Sequence, residues 1–511
     1  MNRANFSFLV LLWLGCTSAF AASPASPSST GASTLSSADS GSNAQGIVPA
    51  RGPLGVYAKV DIESAIEAYS GPPGELHSYL RGLYAGLLAD PAVSGIAVGR
   101  HWDKIELSAG NDGYDWSYLD DAFAEAAAAR KAVQLLITPG FDTPQWVLAQ
   151  ITPCDSLFSS GTAPSDCGSM TFAGFPEQQF SDGSVLPLPW NPIYQSAWRN
   201  FLVHLNARYG SNPLFNSIAI AGPVGASTEM IYPTNDNTTA TQPSGLPVDT
   251  IWKDLIANAF PAVAGYQGTD QVFIDQWDLT VNMYESVFSG ITLFLTPDSG
   301  IALPNFSSSF SVHPDNTLYA QDCSALPDMS CEAKTEVLSY FVTVRGPNGK
   351  ATHLGGMTAS NPDTLGNIGI AGVKLLDSLF PPPVPRFVGG AEFDFPVSSA
   401  NLQQEGCPTY RVSGDCPNLT VEEGAYYVLT VFFNQTPVGI LYGGSFGDQR
   451  IEYLDVPYLD VQYAESHPCP MSPSPIIGET SLQDLLNGAS FELYALQGLL
   501  EIPLPRPTCN E

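Results

Sequence analysis

The chain has 511 residues, of which 44% are hydrophobic and 14% are charged, so it is long enough to bury a large core. Its 19 Lys and Arg residues stand against 50 Asp and Glu residues, which gives a net charge of -31. Because nucleic acids and anionic membrane surfaces are bound by clustered cations, this balance argues against both as partners, and it favours solubility outside the cell.

The N-terminus has the features of an export signal. One Arg precedes an apolar stretch over residues 6–14, and small residues follow at Ala19 and Ala21. This pattern predicts a secretory signal peptide over residues 1–21, because the apolar stretch is too short to cross a bilayer. The protein is therefore expected to be secreted or periplasmic, with a lipid anchor on Cys16 as the alternative.

The next segment, residues 22–51, is rich in Ser, Ala and Gly and contains almost no large apolar residue. Such a segment cannot form a packed core, so we predict a disordered leader. The folded domain is expected to cover residues 52–511. No later segment is long and apolar enough to predict a membrane span.

Strand-like and helix-like segments alternate from the start of this domain. Trp, Phe and Leu residues recur at helical spacing in the predicted helices, and runs rich in Val, Ile and Leu mark the strands. The first half reads, in chain order, as a strand over 55–61, a helical stretch to about Leu88, a strand over 93–99, a helix with Asp115 as N-cap, a strand over 133–140, a helix that ends at Gly210 and a strand over 217–222.

The second half continues the alternation after the helical sequence DQWDLTVNMYESVFSG. Its predicted strands cover 291–297, 353–360, 386–395 and 451–461. Strands that alternate with helices indicate right-handed crossovers and a parallel sheet. Eight such units predict an α/β fold of the closed (β/α)8 (TIM) barrel type with long loops. A doubly wound sheet is the alternative, but no G-x-G-x-x-G follows the first strand.

Eight cysteines remain when Cys16 is set aside. An even count in an exported chain predicts disulfides, although sequence alone does not fix their connectivity. We expect neighbours to pair and to staple the long loops. The expected pairs are Cys154 with Cys167, Cys323 with Cys331, Cys407 with Cys416, and Cys469 with Cys509.

Two glutamates follow predicted strands at positions where barrel enzymes place their chemistry. Glu229 follows the fourth predicted strand, and Glu392 lies in the seventh, within VGGAEFDFP. Active sites of such barrels lie at the C-terminal ends of the strands. Two carboxylates across one barrel mouth are what cleavage of a glycosidic bond needs, one as proton donor and one as nucleophile. Asp394 is two residues from Glu392, on the same face of a strand, and is the alternative nucleophile.

The chain also resembles a known group of enzymes. The segments GIAVGRHWDKIEL, GYDWSYLDDAFAEAAAARKAVQLLITPG, TPQWV and LPLPWNPIYQSAWRNFLVHLNARYG resemble the N-terminal half of (β/α)8 glycoside hydrolases related to β-galactosidases and endoglucanases. The resemblance covers 55–294 and implies a retaining mechanism with Glu229 as acid/base and Glu392 as nucleophile. The superfamily usually has Asn directly before the acid/base, whereas this chain has Thr228.

Five further residues are predicted to contact substrate. Arg100 and His101 end the second predicted strand, where a polar side chain can bind a sugar hydroxyl or orient a carboxylate. Trp102, Trp146 and Trp190 lie in loops after strand-like segments, and aromatic rings stack on sugar rings. For each of these residues an ordinary packing role is the alternative.

Ser445 lies in GGSFG, which matches the nucleophile elbow of serine hydrolases, but a predicted strand comes next where that motif requires a helix. The six histidines form no H-E-x-x-H or similar motif, so no metal or other cofactor is expected. The sequence therefore predicts a monomeric glycoside hydrolase with a carbohydrate substrate. A catalytically inactive glycan-binding barrel and, less favoured, a serine esterase are the alternatives.

Overall fold

The computed structural model describes the domain in segments. Described are residues 53–110, 112–161, 166–175, 183–228, 232–235, 238–258, 271–288, 291–295, 352–354, 388–392, 420–423, 425–426, 450–469 and 477–496. All of them belong to one compact unit, Val48–Glu511. The signal peptide and the leader predicted above lie outside the described residues.

Eight parallel strands close into a barrel, which confirms the predicted fold. The described strands are β1 (Gly55–Asp61), β2 (Val93–His101), β3 (Ala132–Thr138), β4 (Thr152–Pro153), β5 (Cys167–Phe172), β6 (Ser184–Pro187), β7 (Phe215–Ala219), β8 (Thr292–Leu295), β9 (Thr352–Leu354), β10 (Val388–Glu392) and β11 (Arg450–Pro457). The barrel runs β1-β2-β3-β7-β8-β9-β10-β11, and β11 pairs with β1 to close it. β7 is therefore the fourth barrel strand and β10 the seventh.

The helices of the described part follow the predicted alternation. They are α1 (Ile62–Ala68), α2 (Leu76–Ala89), α3 (Ser117–Ala129), α4 (Gln145–Leu148), α5 (Ser156–Ser160), α6 (Pro192–Tyr209), α7 (Val248–Asn258), α8 (Gln271–Val287), α9 (Tyr458–Ser466) and α10 (Leu482–Leu496). α6 ends at Gly210 as predicted, and its Trp198, Phe201 and Leu205 are buried. These side chains pack in the apolar layer between the barrel and its helices.

Three local predictions were wrong, and two of the errors involve proline. The helical stretch to Leu88 is two helices, because the Pro72–Pro73 pair starts a short 3₁₀ turn between them. The last barrel strand stops at Pro457 instead of reaching residue 461, and α9 begins directly after it. Proline fixes φ near the helical value and has no N–H to lose at a helix start.

The third error concerns the start of α3. Its N-cap position is Trp116 and not Asp115, and the Trp116 side chain forms no capping hydrogen bond. Asp115 still serves this end of the helix, because its carboxylate accepts from the Ser117 amide at 3.0 Å and from the Ser117 hydroxyl. Asp115 therefore accepts a hydrogen bond from the first turn of α3, as an N-cap residue does, although it lies one residue before the N-cap position.

The loop after β3 contains a small sheet that the sequence did not predict. β5 lies between β4, which runs parallel to it, and β6, which runs antiparallel. The Cys154–Cys167 disulfide joins the residue after β4 to the first residue of β5, with Cα atoms 5.0 Å apart, and confirms that predicted pair. Cys469 is also disulfide-bonded. The cysteines of the other two predicted pairs, and Cys509, lie outside the described residues.

Candidate active site at the barrel mouth

Polar side chains gather where β1, β2 and β3 end. Asp61 and His101 are the last residues of β1 and β2, and Glu63 lies in the first turn of α1. Asp103 and Asp142 belong to short 3₁₀ turns that follow β2 and β3. We call these five residues the mouth cluster. Only His101 was predicted, although each of the carboxylates ends a predicted strand or follows one within four residues, which is a signal present in the sequence.

His101 lies at the centre of the mouth cluster. Its Nδ1 is 3.2 Å from a carboxylate oxygen of Asp142. Oxygen or nitrogen atoms of Asp61, Glu63 and His101 lie within 4.8 Å of one another, and the same is true of His101, Asp103 and Asp142. The histidine is therefore shared by two groups of three, and both groups lie at the C-terminal ends of the strands, where barrel enzymes have their active sites.

Arg100 does not point to a substrate, which corrects one of the predicted roles. The residue is 5% exposed, and its guanidinium donates to Glu63 Oε1 at 2.6 Å. The same group lies over the Tyr118 ring at 4.5 Å from its centroid and donates to the Lys104 carbonyl. Arg100 thus orients a carboxylate of the mouth cluster, which is the other role that the sequence left open.

Burial dominates the electrostatics of the mouth cluster. Loss of water raises the pKa of Glu63 to about 7, although the Arg100 charge acts in the opposite direction. Burial also raises the pKa of Asp142 well above its usual value, and the Asp103 and Glu63 charges add to this effect. Burial lowers the pKa of His101 against the attraction of Asp61 and Asp103. The cluster therefore favours protonated carboxyl groups or a compensating positive charge.

The turn that carries Asp142 is fixed to the loop after the fourth barrel strand. The Phe141 amide donates to the Gly225 carbonyl at 3.0 Å. Gly140 has φ +71°, and a Cβ there would lie 2.0 Å from that same carbonyl oxygen. Only glycine permits this close approach. The mouth cluster and the segment leading to Glu229 are thus parts of one packed region.

Aromatic side chains from two helices position the chain where it leaves β7. Trp198 Nε1 donates to the Ala221 carbonyl at 2.7 Å, and the Tyr194 hydroxyl donates to the Gly222 carbonyl. Tyr284 of α8 accepts from the Ala221 amide at 3.2 Å. The backbone is therefore held up to Gly222, and Thr228 further along is 8% exposed. Glu229 itself lies outside the described residues.

The seventh barrel strand ends at the other predicted glutamate. β10 places Glu392 in register with Asp455 of β11. Asp455 is buried and accepts a hydrogen bond from Gln134 of β3 at 2.8 Å. The backbone partner of Glu392 is thus Asp455, and the Asp455 carboxylate is hydrogen-bonded to the side chain of Gln134 on a third barrel strand. Asp394 lies outside the described residues.

The three predicted tryptophans occupy different environments. Trp102 was wrongly predicted to stack on a sugar: it is fully buried, it donates to Glu106 at 2.7 Å, and its ring lies 5.0 Å from that of Trp198. The 3₁₀ turn after β2 directs it into the layer beneath the helices. Trp146 and Trp190 are only partly buried and remain substrate-binding candidates.

The serine hydrolase alternative depends on the element that comes after GGSFG. Ser445 lies outside the described residues. The first described element after it is strand β11, which begins at Arg450, as predicted. A nucleophile elbow turns from a strand into a helix, so the geometry that the motif requires is not supported here.

No helix within the described segments has the length and apolar character of a membrane span. No family model matches the chain, and no curated protein matches it.

Solved structures resemble the chain at low identity. The catalytic domain of β-amylase from Paenibacillus polymyxa is 11% identical, with a TM-score of 0.43 over 88% of this chain and 100% of that one. A thermostable mutant of a xylanase from Cellvibrio japonicus is 10% identical, with a TM-score of 0.39 over 87% and 98%. β-Galactosidase from Marinomonas ef1 is 12% identical, with a TM-score of 0.33 over 87% and 61%. The barrel assignment rests on the strand pairing and not on these matches.

Proposed function

We propose that the protein is a glycoside hydrolase that cleaves O-glycosidic bonds of an oligo- or polysaccharide with retention of configuration. Glu229 acts as acid/base and Glu392 as nucleophile, with Asp394 as the alternative nucleophile. His101, Trp146 and Trp190 are the residues we expect to contact the sugar.

One observation carries this proposal: the position of the two glutamates in the strand order. β7 and β10 are the fourth and seventh strands of the closed barrel. Glu229 comes ten residues after the end of β7, and Glu392 is the last residue of β10. This order supports a proton donor and a nucleophile at the C-terminal end of the barrel, where the two carboxyl groups of a retaining enzyme lie roughly 5–5.5 Å apart.

Replacement of each glutamate by glutamine distinguishes the two roles. Glu392→Gln removes the attacking group, so activity on aryl glycosides with good and poor leaving groups should fall together. Glu229→Gln removes proton donation only, so a substrate with an acidic phenol should still form the glycosyl-enzyme. Added azide should then restore turnover as a glycosyl azide, because azide needs no general base.

A panel of aryl glycosides first identifies the sugar, and Glu67→Gln, on the exposed face of α1, is the matched control. The control should retain wild-type activity. Full activity of Glu229→Gln on an unactivated oligosaccharide would exclude the acid/base assignment. If Asp394→Asn and not Glu392→Gln abolishes the glycosyl-enzyme, the nucleophile is Asp394.

A catalytically inactive glycan-binding barrel is the second candidate. Thr228, at the position where related hydrolases usually have Asn, favours it, because that Asn would contact the sugar 2-hydroxyl. Binding of an oligosaccharide without hydrolysis of any glycoside in the panel would support this alternative.

We also infer that the protein acts outside the cytoplasm, in the medium or the periplasm. The Cys154–Cys167 disulfide supports this inference, because such bonds persist in oxidising compartments. Fractionation of expressing cells, with mass spectrometry of the mature N-terminus, tests both export and cleavage after Ala21. A lipid on Cys16 would instead place the protein on a membrane surface.

A further inference from the structure

We propose that the mouth cluster binds one divalent cation of the Mn²⁺ or Zn²⁺ type, with His101 as the central ligand and carboxylates of the cluster around it. This site goes beyond the proposed hydrolase function and does not depend on it. The sequence contains no metal motif at these positions, because the ligands come from three different strand ends.

Three buried oxygens of the cluster lack partners. Glu63 Oε2, one carboxylate oxygen of Asp103 and one of Asp142 are buried and accept no hydrogen bond from any described residue. The Glu63 side chain is 10% exposed, and its other oxygen is fixed by Arg100. Leaving a buried carboxylate oxygen unsatisfied is unfavourable, because the oxygen has lost its hydrogen bonds to water, so a cluster with three of them lacks a donor or a cation.

Both groups of three have the spacing of a metal site. Ligand atoms that are each roughly 2.0–2.2 Å from one ion lie at most about 4.4 Å apart, so side chains whose ligand atoms are within 4.8 Å of one another need only a small adjustment to bind it. Asp61, Glu63 and His101, and likewise His101, Asp103 and Asp142, have ligand atoms within 4.8 Å of one another. Within the segments that the structure describes, no other His, Cys, Asp or Glu residues form such a group.

The ligand types select the cation. Imidazole is a ligand for Zn²⁺ and other transition metals, whereas Ca²⁺ and Mg²⁺ prefer oxygen alone. A set of one imidazole and several carboxylates therefore suits Mn²⁺ or Zn²⁺. The cluster has one nearby Arg and one Lys, but Arg100 is bound to Glu63 and Lys104 to the other oxygen of Asp103. Neither cation satisfies the three buried oxygens.

A second group of similar residues on the surface provides the control. His77 and Arg81 of α2 contact Asp121 and Glu125 of α3, with 2.6 Å between His77 Nδ1 and Asp121 and 2.7 Å between Arg81 and Glu125. We call these four residues the helix cluster. It contains a histidine, an arginine and two carboxylates, but its ligand atoms do not form a group of three within 4.8 Å.

Mn²⁺ titration of the chelator-treated full-length protein, followed by the electron paramagnetic resonance signal of free Mn²⁺, measures binding directly. Mn²⁺ is the probe because thiolates select softer metals and so do not compete. We expect one tight equivalent per chain and a rise in Tm. His101→Asn should abolish tight binding, and Glu63→Gln and Asp142→Asn should each weaken it about tenfold or more.

His77→Asn and Glu125→Gln are the matched controls, and neither should change Mn²⁺ affinity. A loss confined to Glu63→Gln or to Asp142→Asn assigns the ion to the group that contains that residue. The proposal is overturned if the protein takes up no tight equivalent, if His101→Asn binds Mn²⁺ as well as wild type, or if Ca²⁺ binds more tightly than Mn²⁺. Circular dichroism of each variant verifies that it is folded.

Discussion

The mouth cluster together with its partner Arg100, and the helix cluster, contain the same kinds of residue in different surroundings. Glu63 of the mouth cluster and its partner Arg100 are 2.6 Å apart with side chains 10% and 6% exposed, whereas Arg81 and Glu125 are 2.7 Å apart with side chains 55% and 15% exposed. The distances are nearly equal, so distance does not distinguish the two pairs. Exposure to water distinguishes them. Removing one partner of an exposed pair costs little stability, whereas removing one partner of a buried pair leaves the other charge buried without a counter-charge.

The surroundings of the two arginines explain the difference further. Arg100 lies against the Tyr118 ring and the Lys104 carbonyl, so its position is fixed on several sides. Arg81 contacts only the carboxylates of α3 among the interactions that the structure describes. The comparison predicts that equal substitutions at the two sites have unequal effects on stability.

The largest expected effect comes from removing the two arginines. Arg100→Leu leaves Glu63 buried and unpaired, and should lower the free energy of unfolding by about 3–5 kcal/mol. Arg81→Leu removes an exposed pair and should lower it far less, because water and salt screen that pair. Urea denaturation followed by circular dichroism measures both values.

The double variant Arg100→Leu/Glu63→Leu is the control for this pair of measurements. Replacing both charges removes the unpaired carboxylate, so much of the lost stability should return. If Arg100→Leu and Arg81→Leu destabilise equally, burial is not what separates the two clusters.

The next largest effect is expected from a change of pH acting on Glu106, a buried carboxyl that accepts a hydrogen bond from Trp102. Burial raises its pKa above the usual value, although hydrogen bonds from Trp102 and Tyr114 act against this. A raised carboxyl pKa gives stability that is present below the unfolded-state value and is lost as pH rises through the folded-state value. Glu106→Gln stays neutral, so its Tm relative to wild type should rise by roughly 1–3 °C between pH 4 and pH 8.

Thermal unfolding at both pH values, with Glu125→Gln as the control for loss of one negative charge, checks this prediction. The amide oxygen introduced by Glu106→Gln can still accept a hydrogen bond from Trp102 Nε1. The variant therefore removes the ionisable group and keeps this hydrogen bond. An equal rise for Glu125→Gln would assign the effect to net charge and not to the buried site.

The smallest effect concerns salt. Double-mutant cycles for Arg81 with Glu125 should give a small coupling at low salt that falls towards zero in about 1 M NaCl, where the Debye length is about 3 Å. The coupling of Arg100 with Glu63 should change little over the same range, because buried pairs are screened much less. An equal loss of coupling at both pairs would contradict the explanation that burial protects the Arg100–Glu63 pair from screening by salt.

The alternation of elements was readable from the sequence because each element has a strong local pattern. The predicted strands at 55–61 and 93–99 correspond to β1 and β2, and Trp277, Val281 and Tyr284 are buried in α8 at the predicted helical spacing. These features depend on the side-chain period of one segment, which needs no knowledge of its neighbours. The errors occurred mainly at Pro72 and Pro457, where a single residue ends or begins an element.

The roles of individual side chains were harder to predict from the sequence, because they depend on whether a turn directs a side chain into the barrel mouth or into the core. Trp102 and His101 are neighbours in sequence, yet His101 lies in the mouth cluster and Trp102 is buried against Trp198. A strand end and the 3₁₀ turn after it point consecutive residues in different directions. The sequence predicted both as sugar contacts because it could not assign the turn.

By itself, the sequence determined the eight barrel strands and the places of Glu229 and Glu392 after the fourth strand and in the seventh, because these depend on local periodicity and order along the chain. Only the tertiary structure decided that Asp61, Glu63, His101, Asp103 and Asp142 meet. Closure of the barrel brings the ends of β1, β2 and β3 together and removes water from carboxylates that are 81 residues apart in sequence from first to last. The distances between these carboxylates and their burial depend on closure of the barrel, which no local sequence pattern predicts.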